Sequence, residues 1–297
     1  MIRATLVGLS TFAMWAPLAL LTAFSGDVPP FLLSAIAFGI GTAVGIAAQI
    51  AFPSFRQRAH VPPAAWLVGI AGLFGYHFLY FTALKNAPAV EANLISYLWP
   101  LLIVLGSALM PGERLGWHHI AGAAAGLAGT ALIVARDGGL SFEGQYAMGY
   151  LAAACAAVFW SSYSLLSRRF GSVPTSTVTW FCGATAVLSA ICHLLLEQPV
   201  WPANGAEWTA IILMGVFPLG AAFFTWDYGV KHGHIQLIGT ASYIIPMLST
   251  MLLILAGRAE PSIHLLIACL LITGGATLAA KNIILRPRKP AIETGLD

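Results

Sequence analysis

Lys85, Ser96, Tyr97 and Pro100 return 146 positions later, in the same order and spacing, as Lys231, Ser242, Tyr243 and Pro246. Phe78 meets Phe224 at the same shift, and Trp15 meets Trp160 at a shift of 145. Shared leucines would mean little in so apolar a chain; a lysine, a Ser-Tyr pair and a proline at fixed spacing mean more. The chemistry these residues offer is recognition rather than bond breaking. A proline inside a helix lacks the N–H that would bond the carbonyl four residues back, so the carbonyls of Ser96 and Ser242 are candidate acceptors, and Pro100 and Pro246 candidate hinges. At membrane depth such a carbonyl costs several kcal/mol unless a neighbour, a water or a solute answers it.

Aromatic rings accompany both copies. Trp66, Trp117, Trp201 and Trp208 fall near the ends of apolar runs and read as an interfacial belt. Trp15, Tyr76, Tyr80, Tyr97, Trp99, Trp160, Tyr163, Phe224, Trp226 and Tyr243 fall deeper, and together they predict a central cavity whose phenol and indole groups supply polar points. Tyr97 and Trp99 lie about 200° apart on a regular helix, so both face inward only if Pro100 turns it. Two ionisable residues fall at mid-depth, His77 and Asp227. His77 shares a face with Tyr80. A proton relay would use residues of this type; for Asp227, close to the end of its run, a solvated or lysine-paired carboxylate is an equal reading. Lys85 and Lys231 end their runs and read as snorkelling anchors that complement a helix dipole. Glu91 and Asn93, at the start of the following run, are expected to meet water. Without a ladder of buried acids, strong coupling to protons or sodium is not indicated. A lightly charged, ring-lined cavity suits a solute that is neutral overall and partly apolar, such as a zwitterionic amino acid or a small amphipathic drug.

The elements that must position these groups follow from composition. Of 297 residues, 59% are hydrophobic and 8% charged, against roughly a quarter charged in a soluble domain. Ten apolar runs of about 20 residues predict transmembrane helices at roughly 4–24, 31–52, 65–84, 90–110, 117–135, 147–167, 175–196, 208–230, 235–256 and 263–284. Their continuity favours helices over barrel strands, which would alternate in polarity. The expected fold is an all-α polytopic membrane protein. Two five-helix units, 1–140 and 141–285, meet near residues 136–145, and a basic tail covers 286–297. Five helices is an odd number, so the second unit enters from the opposite side, giving an inverted repeat around a central cavity.

With the N-terminus cytoplasmic, 11 basic residues fall inside and Lys85, Arg136 and Arg258 outside, of 14 in all; this predicts both termini in the cytoplasm. The first run is longer than a secretory h-region, so it is expected to be a retained helix. Cys155, Cys182, Cys192 and Cys269 lack CxxC spacing and read as packing residues. Glycine pairs such as Gly41 and Gly45, or Gly122 and Gly126, and the series Gly69, Gly72, Gly75, predict close helix approach. The stretch GIGTAVG, residues 39–45, lies within an apolar run and has no preceding strand, so it is no nucleotide loop. There is no HExxH or GxSG motif and no metal-spaced His/Asp cluster, so neither catalysis, a cofactor nor a metal is expected. The partners expected are the bilayer and a small amphipathic solute, not nucleic acid, with the chain a monomer or weak dimer.

The two-fold ten-helix pattern, the tryptophan in the first helix of each half, the pair SYLWP and SYIIP, and the stretch GERLGWHHIAGAAAGLAGTALIV at 112–134 resemble the EamA-type drug/metabolite transporter superfamily. YHFLYFTALKNAPAVEANLISYLWPLLIVL, residues 76–105, is similar to the third and fourth helices of aromatic amino acid exporters of the YddG type. The resemblance implies export of aromatic amino acids across a bacterial inner membrane, and the inverted repeat suits alternating access; export of aromatic cations, or a non-transporting scaffold role, are the alternatives. The turn GRAEP at 257–261 departs from the superfamily pattern, which would place an acidic GE before the last helix.

Overall fold

Long apolar runs can cross hydrocarbon only if every backbone polar group is satisfied within the chain, and helices do this locally. The computed structural model describes residues 1–56, 59–134, 142–257 and 260–284, and among them it contains helices and no strand. In chain order the helical segments are α1 (Ile2–Ala23), α2 (Pro30–Ala51), α3 (Pro63–Asn86), α4 (Glu91–Leu109), α5 (Trp117–Val134), α6 (Gly144–Arg169), α7 (Thr175–Leu196), α8 (Gly205–His232), α9 (Ile235–Leu255) and α10 (Ile263–Ile284). Nine of these are long and apolar enough to span a membrane among the described residues; α5 is an 18-residue helix packed along α10. Most of the expected joint near 136–145, the basic tail, and Arg58, Arg136 and Arg258 lie outside the described residues.

Local signals set the ends. Pro30 and Pro63 open α2 and α3, where a missing N–H costs nothing. Asn204 caps α8, its side-chain oxygen accepting from the N–H groups of Ala206 and Glu207 at 3.0 Å each. Leu67, Met148, Leu194, Leu255 and Leu270 expose their side chains, as outward faces in lipid do.

The closest helix pairings are α5 with α10, α2 with α7, α1 with α8, and α3 with α6. Small residues permit them. A Cβ on Gly122 would stand 2.5 Å from the Gly275 carbonyl oxygen across the α5–α10 seam, and one on Gly72 would meet Tyr163 of α6 at 2.4 Å.

Irregularities occur at related places. A π-helical turn interrupts α3 at Ala71–Gly75 and α8 at Phe217–Ala221, 146 residues apart. Segments α4 and α9 break into turns at Tyr97–Leu98 and Ser242–Tyr243, just before Pro100 and Pro246. Segment α1 breaks at Ala16–Pro17. The Ser242 carbonyl, expected to be free, accepts from the N–H of Ile245 at 3.0 Å; a three-residue turn ahead of the proline supplies a substitute donor.

Candidate functional site

Each break places a ring. Trp15 ends the first stretch of α1, Trp99 follows the break in α4, Trp160 lies mid-way along α6, and Trp226 follows the π turn of α8. These four tryptophans meet in the interior. Trp15 lies 5.6 Å from Trp160, 5.2 Å from Trp226 and 6.5 Å from Trp99, centroid to centroid, and Trp226 stacks on Trp160 at 5.7 Å. Two of their N–H groups are answered within the protein: Trp15 Nε1–H donates to the Pro218 carbonyl at 3.0 Å, and Trp226 Nε1–H to the Ser164 hydroxyl at 3.1 Å. A buried indole without such a partner would be costly.

Beside this cluster stand three tyrosines. Tyr76 touches Trp160 at 5.6 Å and lies parallel to Tyr80 at 5.8 Å. Tyr97 lies within electrostatic reach of both, and the Ser96 side chain is beside Tyr76. The Tyr80 phenol donates to the Asn93 side-chain oxygen. The turn at Tyr97–Leu98 lets both Tyr97 and Trp99 face inward, as one regular helix could not. Trp99, Trp160 and Trp226 are buried, whereas Tyr76, Tyr80 and Tyr97 are half-buried.

His77 lies behind the tyrosines. Its Nδ1 is 2.7 Å from the Leu73 carbonyl, which can only accept, so Nδ1 carries the proton. Its ring contacts Phe38, Tyr76, Phe81 and Phe223 at 5.0 to 6.3 Å. Tyr163 packs on Trp160 at 5.3 Å.

Several expected residues stand elsewhere. Phe224 contacts Phe55 and lines a peripheral cavity; its neighbour Phe223 takes the place beside Trp15, at 6.0 Å. Adjacent helical positions differ by about 100°, and the π turn shifts that angle again, so the sequence could not choose between the two. Tyr243 and Ser242 are fully buried; Tyr243 packs over Gly126 in a separate core of α4, α5, α9 and α10. Trp66, placed in the interfacial belt, packs on Phe181 at 5.5 Å, while Trp117 and Trp201 are exposed. Glu91, expected in water, is buried. Phe31, Phe38, Phe81 and Phe223 were missed because a lone phenylalanine in an apolar run carries no signal.

Lys231 does not snorkel. It turns inward onto the residue one helical turn before it: Nζ lies 2.8 Å from Asp227 Oδ2 and donates to the Val173 carbonyl at 3.0 Å. Thr175 Oγ1 donates to the same carboxylate oxygen at 2.8 Å. Asp227 is therefore the lysine-paired carboxylate of the two readings open for it. Next to this pair, Arg168 donates to the carbonyls of Val230 and Gly233 at 3.0 and 2.8 Å and pairs with Glu113. The two groups tie the α4–α5 and α6–α7 connections to the end of α8. Behind them a cavity of about 340 Å³ is lined by the Gly171–Ser176 loop, Phe224, Tyr228 and His232, among others. No cluster of metal-binding side chains occurs among the described residues.

With this geometry in place, the comparisons with known proteins are decisive on family. The model of the EamA-like transporter family matches residues 2–135 and again residues 147–280. The chain belongs to the EamA-like transporter family. The aromatic amino acid exporter YddG of Ancylobacter novellus is 56% identical over 277 residues, covering 93% of this chain and 96% of that one. The exporter of the same name from Escherichia coli is 24% identical over 297 residues, with 93% and 96% coverage. A solved crystal structure with 55% sequence identity superposes at a TM-score of 0.90 over 94% of this chain and 98% of the other. Family membership makes this chain a membrane transporter, and the interior rings become candidates for contact with its solute.

Proposed function

We propose that the chain exports aromatic amino acids across a bacterial inner membrane by alternating access. The observation that carries this reading is the interior aromatic cluster: four tryptophans from α1, α4, α6 and α8, bordered by three half-buried tyrosines from α3 and α4. Such walls favour a flat apolar side chain, while phenols and Ser96 offer hydrogen bonds to its polar end. The 56% identical relative bears the name of an aromatic amino acid exporter, which supports the same solute class. Trp15, Tyr76, His77, Tyr80, Ser96, Tyr97, Trp99, Trp160, Tyr163 and Trp226 form or border the proposed chamber.

The same reading takes residues 1–140 and 141–285 as two inverted five-helix units, ten spans in all, with both termini cytoplasmic. Three observations support it. The family model matches twice, at an offset of 145; the π turns fall at equivalent positions; and exchanging the units maps the α2–α7 and α5–α10 pairings onto themselves and α1–α8 onto α6–α3. Pro100 and Pro246, each just after a break, are the proposed hinges.

Purified protein in liposomes loaded with phenylalanine or tryptophan should take up the labelled amino acid well above protein-free vesicles. Trp99→Ala should slow that exchange far more than the exposed Trp201→Ala. No acceleration with any aromatic amino acid would end this reading. Rings also attract cations. Flux of an aromatic cation without amino acid flux would favour the alternative, a multidrug exporter.

A further inference from the structure

Directly after Trp226 the buried side chains change from rings to charges, Asp227 and Lys231. Trp226 and Asp227 are consecutive, and Tyr163 touches Trp160 on one side and lies within electrostatic reach of Asp227 on the other. Beyond the carboxylate, Val173 and Thr175, which hold Lys231 and Asp227, also line the 340 Å³ cavity. The ion pair thus shares neighbours with the ring cluster on one side and with that cavity on the other. Both side chains are almost wholly buried, at 3% and 1% exposure. Asp227 Oδ1 is buried with no hydrogen-bond partner, although a buried carboxylate oxygen without a donor is a cost that proteins rarely leave standing. A vacant acceptor beside a buried ammonium is what a passing zwitterion could use.

We propose that Asp227 and Lys231 form a substrate-exchangeable gate selective for zwitterions. This rests on the exporter reading above and adds what recognises the polar end of the solute. The ammonium of an α-amino acid takes Asp227, its carboxylate takes Lys231, and the internal pair opens without leaving either charge alone. A solute with one charge can satisfy only one partner and strands the other in a low-dielectric interior, where an unpaired charge is heavily penalised. Aromatic compounds with a single charge therefore bind among the rings but do not pass.

The test compares flux of phenylalanine with that of 2-phenylethylamine, a cation, and 3-phenylpropionate, an anion, in liposomes held at neutral pH. Unmodified protein should favour phenylalanine by roughly tenfold or more over each. In Asp227→Asn/Lys231→Met, which removes both charges together, that preference should fall to within about twofold of parity. A merely structural pair would change all three fluxes by one factor, and a preserved preference in the double variant would overturn the gate. If that variant does not fold, Thr175→Val removes one donor to Asp227 and no charge; it should cut the preference by about two- to threefold, and an unchanged preference counts against the gate equally. No phenylalanine flux in the unmodified protein would sink the exporter reading and the gate with it, whereas normal flux with unaltered selectivity in the variants sinks the gate alone.

Discussion

The corner between α3 and α4 and the corner between α8 and α9 are built on the same skeleton, yet they stand in different states. Lys85 is exposed at the end of α3; Lys231, its counterpart, is buried. The difference lies one helical turn earlier. Lys231 has Asp227 to turn to, whereas Lys85 has Phe81, which packs on Phe31 at 5.6 Å. The rings follow suit. Tyr80 and Tyr97 are half-buried, while their counterparts Trp226 and Tyr243 are fully buried. One corner is partly open and held by a Tyr80–Asn93 hydrogen bond and apolar rings; the other has its rings and its lysine buried and is tied by two groups of charges. The recurring skeleton thus frames both corners, and a few side chains decide how each one packs.

The largest expected effect tests the buried charges. Asp227→Ala leaves Lys231 uncompensated and should cost about 3–5 kcal/mol, whereas Lys85→Met should stay within about 0.5 kcal/mol. Thermal unfolding in detergent distinguishes them, and equal losses would erase the contrast between corners. Next comes the seam behind the π turn of α3. Gly72→Leu drives a side chain into Tyr163 and should cost about 1–3 kcal/mol. Gly183, whose Cβ would meet nothing closer than 3.5 Å, should accept alanine with a gain of about 0.5–1 kcal/mol. Smaller still, Tyr80→Phe removes the phenol donor to Asn93; the loss should be about 0.5–1.5 kcal/mol, visible as a few-fold rise in the KM for phenylalanine if that corner admits solute. The smallest is Glu113→Gln. The Glu113–Arg168 pair is partly exposed and Arg168 keeps its two carbonyl contacts, so the cost should not exceed about 1 kcal/mol and should shrink as salt rises.

Much of this was legible before folding. Continuous apolar length dictates helices, because hydrocarbon offers the backbone no other partner; the nine spans and α5 lie close to the ten apolar runs. The recurrence of Lys, Ser-Tyr and Pro pointed to the two corners, and the deep tryptophans at positions 15, 99, 160 and 226 do converge. What remained hidden was orientation. Choosing Phe223 over Phe224 needs an angle that a π turn alters by a fraction of a turn, and neither Gly72 and Gly75 nor Pro218 announces that turn by itself.

Composition and spacing alone therefore determined that this chain forms membrane-spanning helices and that a skeleton of Lys, Ser-Tyr and Pro recurs in it beside deep rings, since these depend on residue type and position. Only the tertiary structure decided that Lys231 faces Asp227 instead of water, that Tyr243 joins a separate core, and that the carbonyl of Ser242 finds a donor. Each of these turns on which neighbour lies within about 3 Å, and no one-dimensional pattern carries that distance.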